Sequence, residues 1–535
     1  MEYLDTTIPK SKFNKEFRKH YDSYYFSLRK EYLNIIDVSF YKKINLDLLI
    51  SSVSEKNISS SYIFHNICLY YSIKKFLSKR IIETIYVENT FLKKNIELFY
   101  SGNVKIRNNK KIHIINIFRI LLKQFLIFFV SKLISKDKKI KSQINLIDIF
   151  ITSNNLKVDR YYNNFFLNKK LFYHTPTFVN MSLRKIARCL LDFNKKNYIL
   201  KNQFLTLKDI LYSINFIFRI DKIKIKNFFF KELDIKDLVL RELYLRRNLN
   251  ASIVGLQNYL FAKRLKDKDI KLESVLNWNE NSIVDKGWNY GFRTFYKDLN
   301  TFGYQGFFVE KKLSSIDITK NEFKAKTCPE YLLLVGPLVK RSRSEFVKKI
   351  KFIQSRAFRF EHLFFKEFYK KKINNKIIIF LNLEKETCIE MIEKIKETKF
   401  SQNNNTIYIK EHPLLKLNQF YNSPLPQNFK IIDGNFYDIA KKFKVIVASG
   451  SSSSVYESLL SGSKIIFPTN DHYDSLNLEM LDVPKSYYKA CNNVKELDAY
   501  ISKFLNQDIK HFEHYKDILK NSINDKRIIK FFGKG

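Results

Sequence analysis

Short apolar runs alternate with longer amphipathic stretches over the last third of the chain. Runs with the length and residue types of buried strands occupy Ile377–Leu383, Thr406–Lys410, Lys430–Ile432, Val445–Ala448 and Lys464–Phe467. Apolar residues at helical spacing between or after these runs predict helices at Glu386–Glu397, Phe436–Phe443, Ser453–Ser461 and Val494–Phe504. Strands that alternate with helices in this way indicate βαβ units and a parallel sheet.

An earlier segment shows the same alternation. Ile144–Thr152 (INLIDIFIT) reads as the first strand of another α/β unit, and Tyr331–Val335 reads as its last strand before a crossover. The basic segment Arg341–Lys372 is predicted to be helical and to lead into the second unit. We therefore expect an α/β protein with a pair of Rossmann-type domains facing a cleft, at 141–345 and 346–535. Residues 1–140 are expected to form an additional, mainly helical N-terminal region.

One apolar segment, Ile112–Ile134, requires a decision about membranes. Its polar residues fall within one arc of a helix: His113, Asn116, Arg119, Lys123 and Gln124. The opposite side carries Ile114, Phe118, Leu121, Leu122, Phe125 and Phe129. This pattern is amphipathic, so a transmembrane span is rejected. Two interpretations stay open, a helix in the interface of an anionic membrane and a core helix packed under its neighbours.

Composition narrows the class of protein. The chain has 535 residues, of which 45% are apolar, so it can bury real cores and is not a disordered chain. Its net charge of +42 favours anionic partners, but abundant Lys, Ile and Asn together with scarce Gly and Pro also fit an A+T-rich genome. The five cysteines are far apart, which argues against a disulfide framework or a zinc site and fits a reducing cytosol. We expect a cytoplasmic protein, and attachment to the inner face of the cytoplasmic membrane depends on which interpretation of Ile112–Ile134 holds.

A turn rich in hydroxyl groups follows the strand predicted at Val445–Ala448. It carries Gly450 and the hydroxyls of Ser449, Ser451, Ser452, Ser453 and Ser454, and a helix follows at once. Small polar residues between a strand and a helix can bind a phosphate through hydroxyls and backbone N–H groups. Glu457, one turn into the helix, either contacts a ribose or simply complements the helix dipole.

A second motif, YIKEHP at 408–413, ends a strand in the same unit. Lys410 and His412 are placed at the carboxyl end of that strand, and Pro413 forbids simple continuation of the ladder. An imidazole in this position can donate to a phosphate or protonate a leaving oxygen. A lone histidine is more often structural, but its pairing with the hydroxyl-rich turn favours a function.

The first α/β unit offers a carboxylate close to aromatic residues. The strand predicted at Lys271–Leu276 runs into Trp278, Glu280 and Asn281, and Gln305 follows within FGYQG. Such a group is typical of a sugar-binding site in which a carboxylate acts as general base. In the bland alternative the tryptophan belongs to the core and the glutamate caps the next helix. Asp267 and Asp269 lie in a charged, surface-like run, so no metal site is expected.

These motifs together show a resemblance. KEHP at 410–413 and the VASGSSSSVYESLLSGSKIIFP block resemble the carboxyl-terminal domain of GT-B glycosyltransferases of bacterial surface polysaccharides, including capsule and lipopolysaccharide enzymes. In motif terms the chain is similar to bacterial sialyltransferases and polysialyltransferases over about 270–470. The resemblance implies that His412 contacts the donor phosphate or assists its departure, and that Ser451, Ser452, Ser453 and Ser454 hold it.

We therefore expect an inverting, metal-independent transferase. It would need no cofactor beyond a nucleotide-sugar co-substrate, perhaps CMP-linked, and would act on a surface polysaccharide or a lipid-linked glycan. Glu280 and His412 are the expected catalytic residues, and Lys410, Pro413, Gly450, Ser451–Ser454 and Glu457 the expected donor site. Trp278, Asn281 and Gln305 are expected to bind the acceptor. Two alternatives stay open, a CDP-glycerol or CDP-ribitol phosphotransferase and a non-enzymatic basic protein that binds membrane or nucleic acid, although no nucleic-acid partner is expected.

Overall fold

The structure is a computed structural model. It describes residues 3–8, 12–42, 44–56, 61–107, 114–134, 140, 143–152, 161–162, 165–166, 171–179, 181–193, 198–225, 228–307, 316–336, 350–364, 373–383, 385–413, 415–434, 436–449, 454–468, 483–491 and 493–507. Within these ranges the chain forms two six-stranded parallel sheets, a three-stranded parallel sheet, a short hairpin and many helices. The predicted fold class, two Rossmann-type domains with a mainly helical N-terminal region, is confirmed.

The N-terminal region combines helices with a small sheet that the sequence did not reveal. Its three strands pair in the order β1 (Tyr3–Asp5), β2 (Thr84–Val87) and β3 (Asn103–Ile106). The helices are α1 (Lys15–Ile36), α2 (Leu46–Leu49), α3 (Ser52–Glu55), α4 (Ile63–Leu77), α5 (Thr90–Glu97) and α6 (Ile114–Ile134), with a π-helix at Asp37–Tyr41. Aromatic side chains pack α1 on α4, for example Tyr32 stacked on Phe64. The small sheet escaped prediction because its strands have three or four residues each.

The first large sheet forms the core of the middle of the chain. Its strands lie in the order β11 (Lys351–Gln354), β10 (Tyr331–Leu334), β9 (Asn300–Gln305), β8 (Leu272–Trp278), β4 (Ile144–Ile151) and β5 (Phe172–Phe178). The helices of this part are α7 (Leu183–Phe193), α8 (Lys201–Phe204), α9 (Leu207–Ile214), α10 (Phe216–Arg219), α11 (Lys236–Tyr244), α12 (Leu249–Asp267), α13 (Ile283–Phe295) and α14 (Lys320–Lys324). A hairpin of β6 (Phe229–Phe230) and β7 (Leu233–Asp234) stands apart from the sheet.

Strand β11 corrects the prediction that Arg341–Lys372 is helical. Residues 351–354 pair in parallel with β10 as the edge strand of the first sheet, six residues beyond the predicted boundary at 345. Lys351 is exposed at this edge while Ile353 is buried. This edge strand is short and partly charged, so it lacks the long apolar run by which a strand is recognised in a sequence. The many lysines and arginines around it led to the prediction of a basic helix instead.

The second large sheet has the order β14 (Phe429–Ile431), β13 (Ile407–Lys410), β12 (Ile373–Phe380), β15 (Phe443–Ala448), β16 (Lys464–Pro468) and β17 (Tyr488–Cys491). Its helices are α15 (Lys385–Lys396), α16 (Lys399–Gln402), α17 (Phe436–Ala440), α18 (Ser454–Leu460) and α19 (Val494–Asn506). Five of these strands and four of these helices overlap the predicted ones, and all pairings in the sheet are parallel.

The two large sheets share hydrophobic packing. One cluster of buried side chains contains Ile147 and Leu276 of the first sheet together with Ile378 and Ile446 of the second. The 3₁₀-helix at Phe358–Phe364 follows β11 and contributes to this cluster, and it packs against α18. The opposite faces of the sheets are covered separately by their own helices.

In helix α6 one residue of the predicted polar side is buried, and residues of the predicted apolar side are exposed. Gln124, expected among the polar arc, is buried and hydrogen-bonded to Asn250 and Gln257 of α12, while Phe118 and Phe129 are exposed. Amide pairing with a neighbouring helix makes a buried glutamine favourable, which explains the difference. Among the described helices, none has the length and apolarity needed to cross a membrane.

Candidate functional site

Strand order places two loops at special positions. In the second sheet the chain proceeds from β12 through β13 to β14 in one direction, and from β15 through β16 to β17 in the other. In the first sheet β4 and β5 run one way, and β8 to β11 run the other. Ligands of open parallel sheets bind at the carboxyl ends of the strands, at the point where the order reverses. These points lie between β12 and β15 and between β4 and β8.

The hydroxyl-rich turn begins at the reversal point of the second sheet. Ser449 directly follows β15 and is buried, and its Oγ accepts a hydrogen bond of 2.7 Å from Nδ2 of Asn382, which follows β12. The Asn382 Oδ1 in turn accepts from the Cys388 thiol of α15 at 3.2 Å. The start of the turn is therefore fixed across the reversal point by a residue that was not predicted.

The remainder of the predicted donor turn is described from Ser454 onwards. Gly450, Ser451, Ser452 and Ser453 lie outside the described residues. Ser454 begins α18, and its carbonyl accepts from the Ser458 hydroxyl at 2.7 Å. Glu457 is buried in the first turn of α18, a position that also complements the helix dipole, so the choice between the two interpretations of this residue stays open.

His412 lies on a tight turn after β13, next to β12 in the sheet. The Leu415 N–H donates to the His412 carbonyl at 3.2 Å, and Pro413 is exposed at the tip of this turn. The strand ends at Lys410, whose carbonyl accepts from the Leu381 N–H at 3.0 Å, so it adjoins the segment that holds Asn382. His412 is half-buried, and it lies on the same sheet edge as Ser449.

Glu411 fixes the shape of the His412 turn. Its carboxylate accepts from the Leu417 N–H at 2.7 Å and from the Lys416 Nζ at 2.8 Å. Burial alone would raise the pKa of Glu411, but these two hydrogen bonds outweigh it and lower the pKa. The Glu411 carboxylate therefore holds the turn that carries His412.

Glu280 follows β8 at the reversal point of the first sheet. Its side chain is exposed, and its Oε1 accepts a hydrogen bond of 2.8 Å from the indole Nε1 of Trp278. Its backbone N–H donates to the Asp285 Oδ2 at 3.0 Å. The carboxylate is thus accessible and oriented by a neighbour, the combination that a general base requires.

Asp285 anchors the loop that carries Glu280. It accepts from the Ser282 N–H at 2.9 Å and from the Asn277 Nδ2 at 2.8 Å, and it caps α13 together with Ser282. Burial raises the pKa of Asp285 to about 7 despite the Ser282 hydrogen bond, and the nearby Glu280 carboxylate adds to this rise.

A buried ionic cluster of Glu322, Lys56 and Lys286 contacts the same loop through Asn281. Asn281, in a left-handed conformation with φ of 55°, donates through Nδ2 to the Glu322 Oε1 at 3.2 Å. Glu322 is also paired with Lys56 of the N-terminal region and, at 3.4 Å, with Lys286 of α13. Burial alone would raise the pKa of Glu322, but the two lysines outweigh it and hold it at about 2, whereas burial lowers the pKa of Lys286 to about 8.

The residues expected to bind the acceptor are buried. The Trp278 ring packs on Tyr161 with a centroid distance of 4.2 Å and on Phe307 at 5.6 Å. Its contact with Glu280 is the hydrogen bond that the indole Nε1 donates. Asn281 and Gln305 are fully buried. Their assignment to the acceptor remains a prediction.

Two buried amides lack hydrogen bonds within the described part of the chain. Asn279 follows β8 and Gln305 ends β9, and neither side-chain oxygen nor side-chain nitrogen of either residue has a partner there. The two strands are neighbours, so both amides lie at the same sheet edge as Glu280. Buried amides are nearly always hydrogen-bonded, so this pair is suited to a polar ligand. The sequence analysis did not propose a role for Asn279. Its position between Trp278 and Glu280, two residues that were proposed for the site, could have indicated one.

The sequence also did not reveal where two cations near the 3₁₀-helix fall. Arg356 and Arg359 flank the start of the 3₁₀-helix at Phe358–Phe364, and Phe358 and Val455 belong to one hydrophobic cluster. Arg356 is paired with Glu361, and its carbonyl accepts from the Tyr304 hydroxyl at 3.1 Å. The basic segment Arg341–Lys372 could have indicated these cations. Because it was predicted to be one helix, the positions of Arg356 and Arg359 after a strand were not foreseen.

No cluster of three metal-ligating side chains occurs within the described ranges. Asp267 of the predicted surface run is paired with Arg264 at 3.0 Å, and Asp269 has a left-handed backbone with φ of 52°. The expectation of a metal-independent site remains a prediction.

Comparison with known proteins leaves the family open. No protein-family model and no curated protein sequence matches the chain. Among solved structures, a glycotransferase of kitacinnamycin shows 10% identity and a TM-score of 0.37, covering 69% of this chain and 92% of its own. The calicheamicin glycosyltransferase CalG4 shows 9% identity and a TM-score of 0.37, with coverages of 69% and 91%. The UDP-GlcNAc 2-epimerase from Neisseria meningitidis, bound to UDP-GlcNAc, shows 11% identity and a TM-score of 0.39, with coverages of 71% and 95%. Similarity at this level carries no argument for function.

Proposed function

We propose that this protein is a glycosyltransferase that moves a sugar from a nucleotide-sugar donor to a surface polysaccharide or a lipid-linked glycan. One observation carries the proposal. Ser449, the first residue of the hydroxyl-rich turn, and Glu280 were selected for complementary chemical roles, and each follows a strand at the reversal point of a separate six-stranded parallel sheet. A two-substrate transfer needs one anion-binding site and one base on two facing elements, and this arrangement supports both.

The second sheet would bind the donor. Ser449 and the hydroxyls that follow it would hydrogen-bond the phosphate, and Lys410 and His412 would add positive charge or a proton from the adjacent strand end. Groups fixed before the reaction stabilise charge that develops on a leaving phosphate most effectively. The Asn382 to Ser449 hydrogen bond of 2.7 Å and the Glu411 contacts supply that fixation.

The first sheet would activate the acceptor. Glu280 would take the proton of the acceptor hydroxyl as its oxygen attacks the anomeric carbon, while the bond from that carbon to the donor phosphate breaks. A single displacement of this kind inverts the anomeric configuration. The orphan amides of Asn279 and Gln305 would bind hydroxyl groups of the sugar chain next to the base.

The chemistry of the donor remains a proposal within this function. A CMP-linked sugar fits the motif resemblance, and a CDP-linked alcohol is the rival donor. We further propose that the acceptor is met at the cytoplasmic face of an anionic membrane.

A thermal-shift and hydrolysis screen tests the proposal. The full chain is mixed with CMP, CDP, UDP or GDP, and one of these nucleotides should raise its melting temperature. His412→Ala should lose this shift. His20→Ala, which changes a histidine of α1 in the N-terminal region, is the matched control and should keep it. Release of CMP from a CMP-sugar supports the transferase, and release of CMP from CDP-glycerol supports the phosphotransferase. Salt-dependent polyanion binding with no nucleotide shift would replace both with a binding protein.

A further inference from the structure

Helix α6 exposes a continuous apolar stripe. Ile115, Phe118, Leu122, Phe129 and Leu133 have exposed fractions of 70%, 65%, 47%, 49% and 86%. Leu126 completes the row at 37%. Their spacing of three or four residues puts them on one face of the helix, over a length of about 27 Å at 1.5 Å per residue. A row of this size is unusual on a face that meets only water.

The opposite face of α6 is firmly attached to the protein, so the stripe cannot simply turn inward. Gln124 is paired with Asn250 at 2.9 Å and with Gln257 at 3.2 Å, both on α12. Phe128 is buried among residues of the first domain. Lys123 donates to the Met181 carbonyl at 2.8 Å, which joins α6 to the start of α7.

Cations border the stripe. Arg119 and Lys132 are exposed on α6 itself. The adjacent helix α7 exposes Arg184, Lys185 and Arg188. On the other flank, α9 packs against α6 and exposes Leu207 and Leu211, which widens the apolar area.

We propose that α6, flanked by α7 and α9, is the docking surface for an anionic lipid bilayer. The helix would lie parallel to the membrane, with its stripe at the boundary of headgroups and acyl chains and its cations among lipid phosphates. Amphipathic helices bind in this way with the apolar face about 5–10 Å deep. The inference deepens the proposed function by naming the surface at which a lipid-linked acceptor is met.

Charge favours a bilayer over a second copy of the chain. A symmetric dimer through α6 would place each cationic border opposite its own copy, in a protein with a net charge of +42. Like charges facing each other oppose association, whereas an anionic membrane attracts the same border.

Vesicle sedimentation of the full chain tests this surface. Vesicles of phosphatidylcholine with 30% phosphatidylglycerol should pellet the protein, and pure phosphatidylcholine should pellet much less. The variant Phe118→Asp/Leu122→Asp/Phe129→Asp should bind at least about tenfold more weakly, because three apolar anchors become anions. Its matched control is Ile81→Asp/Leu98→Asp, with native exposed fractions of 94% and 80% on the N-terminal region, which should bind like wild type.

The cationic border gives a separate arm of the test. Arg184→Glu/Arg188→Glu should weaken binding to the anionic vesicles. Loss of each positive charge should lower the affinity by about fivefold, and the negative charge that replaces it should lower the affinity further. Raising the salt concentration should weaken wild-type binding and have a smaller effect on this variant.

A labelling experiment keeps the proposal testable if the triple variant does not fold. All five native cysteines are buried, so Leu122→Cys can be labelled selectively with an environment-sensitive fluorophore. Its emission should shift to the blue on anionic vesicles and be quenched by brominated acyl chains, whereas labelled Leu98→Cys should show neither effect.

Two results would overturn the inference. One is equal vesicle binding by wild type and a folded triple variant. The other is a wild-type dimer in light scattering that the triple variant converts to a monomer with no change on vesicles, which would assign the stripe to self-association. The nucleotide thermal shift should be unchanged in every α6 variant, so failure here is distinguishable from failure of the proposed transferase.

Discussion

The two large sheets have the same parallel construction, yet their reversal-point loops are built differently. The loop after β8 is held by Trp278, Asp285 and Glu322 and presents one accessible carboxylate. The turn after β15 is rich in small hydroxyl residues in the sequence, and among the described residues Asn382 is bonded to its first residue, Ser449. A base must keep one orientation, while a phosphate is bound by many small donors. If the proposed function is correct, this difference corresponds to the different roles of the two sheets, one with the base and one with the phosphate site.

Catalysis should show the largest effect and should separate the two loops. Glu280→Gln should lower turnover by about 10²–10⁴-fold, the usual contribution of a general base, and leave the nucleotide thermal shift intact. His412→Ala should abolish that shift. Steady-state transfer assays and thermal shifts on both variants check the prediction. If Glu280→Gln lost the nucleotide shift as well, the division between the sheets would be wrong.

The buried ionic cluster should give the next largest effect, this time on stability. Glu322→Ala leaves Lys56 and Lys286 buried without their common carboxylate, so the free energy of unfolding should fall by about 3–5 kcal/mol. Urea denaturation measures this change. Glu330→Ala removes a more exposed carboxylate 3.7 Å from Arg293, and its cost should stay below about 1 kcal/mol. Equal costs for the two variants would contradict the anchoring role of Glu322.

Asp285 should make the stability of the first loop depend on pH. Its folded pKa of about 7 lies above the value of about 3.9 in an unfolded chain. As pH rises from about 4 to about 7 the unfolded chain loses this proton first, so wild type should lose stability relative to Asp285→Asn. Above about pH 7 the difference should be constant. Urea titrations at several pH values measure it, and a difference independent of pH would show that Asp285 is not perturbed.

The smallest effect is expected at the second loop. Asn382→Ala removes the hydrogen bond to Ser449, so nucleotide affinity should fall by about fivefold, the value of one hydrogen bond of about 1 kcal/mol. Calorimetric titration with the preferred nucleotide measures it. Asn405→Ala removes a comparable 2.9 Å bond to the Phe400 carbonyl away from the turn, and it should leave the affinity unchanged. A similar loss in both variants would mean that Asn382 acts only through general stability.

The fold was predictable where the apolar pattern was strong. Buried strands such as β4 and β15 are mostly apolar, apart from Asn145 and Asp148 in β4 and Lys444 in β15, so their positions followed from the sequence within about two residues. Strand β11 and the small N-terminal sheet did not follow, because short strands with one charged or exposed face lack that signal. The faces of α6 were misjudged at Gln124, because its amide partners lie 126 and 133 residues further along the chain.

For the candidate site, the sequence indicates which residue types could carry the proposed chemistry, but it does not indicate which side chains contact each other. The sequence selected Glu280, His412 and the hydroxyl-rich turn from their positions at strand ends. It could not reveal that Trp278 serves Glu280 through its indole nitrogen, or that Asn382 reaches Ser449 across 67 residues of chain. Such pairings depend on strand order, which no local pattern encodes.

The pairing of Lys56 with Glu322 has a consequence for how this protein can be divided or evolve. The N-terminal region supplies a charge that the middle of the chain needs, and its apolar core continues into Leu238 and Ile253 of α11 and α12. A truncated chain that begins after residue 140 would expose that apolar surface and remove one of the two lysines paired with the buried Glu322. Shuffling this module between proteins would therefore require both partners to move together, so the first 140 residues behave as part of one inherited unit with the sheet that carries Glu280.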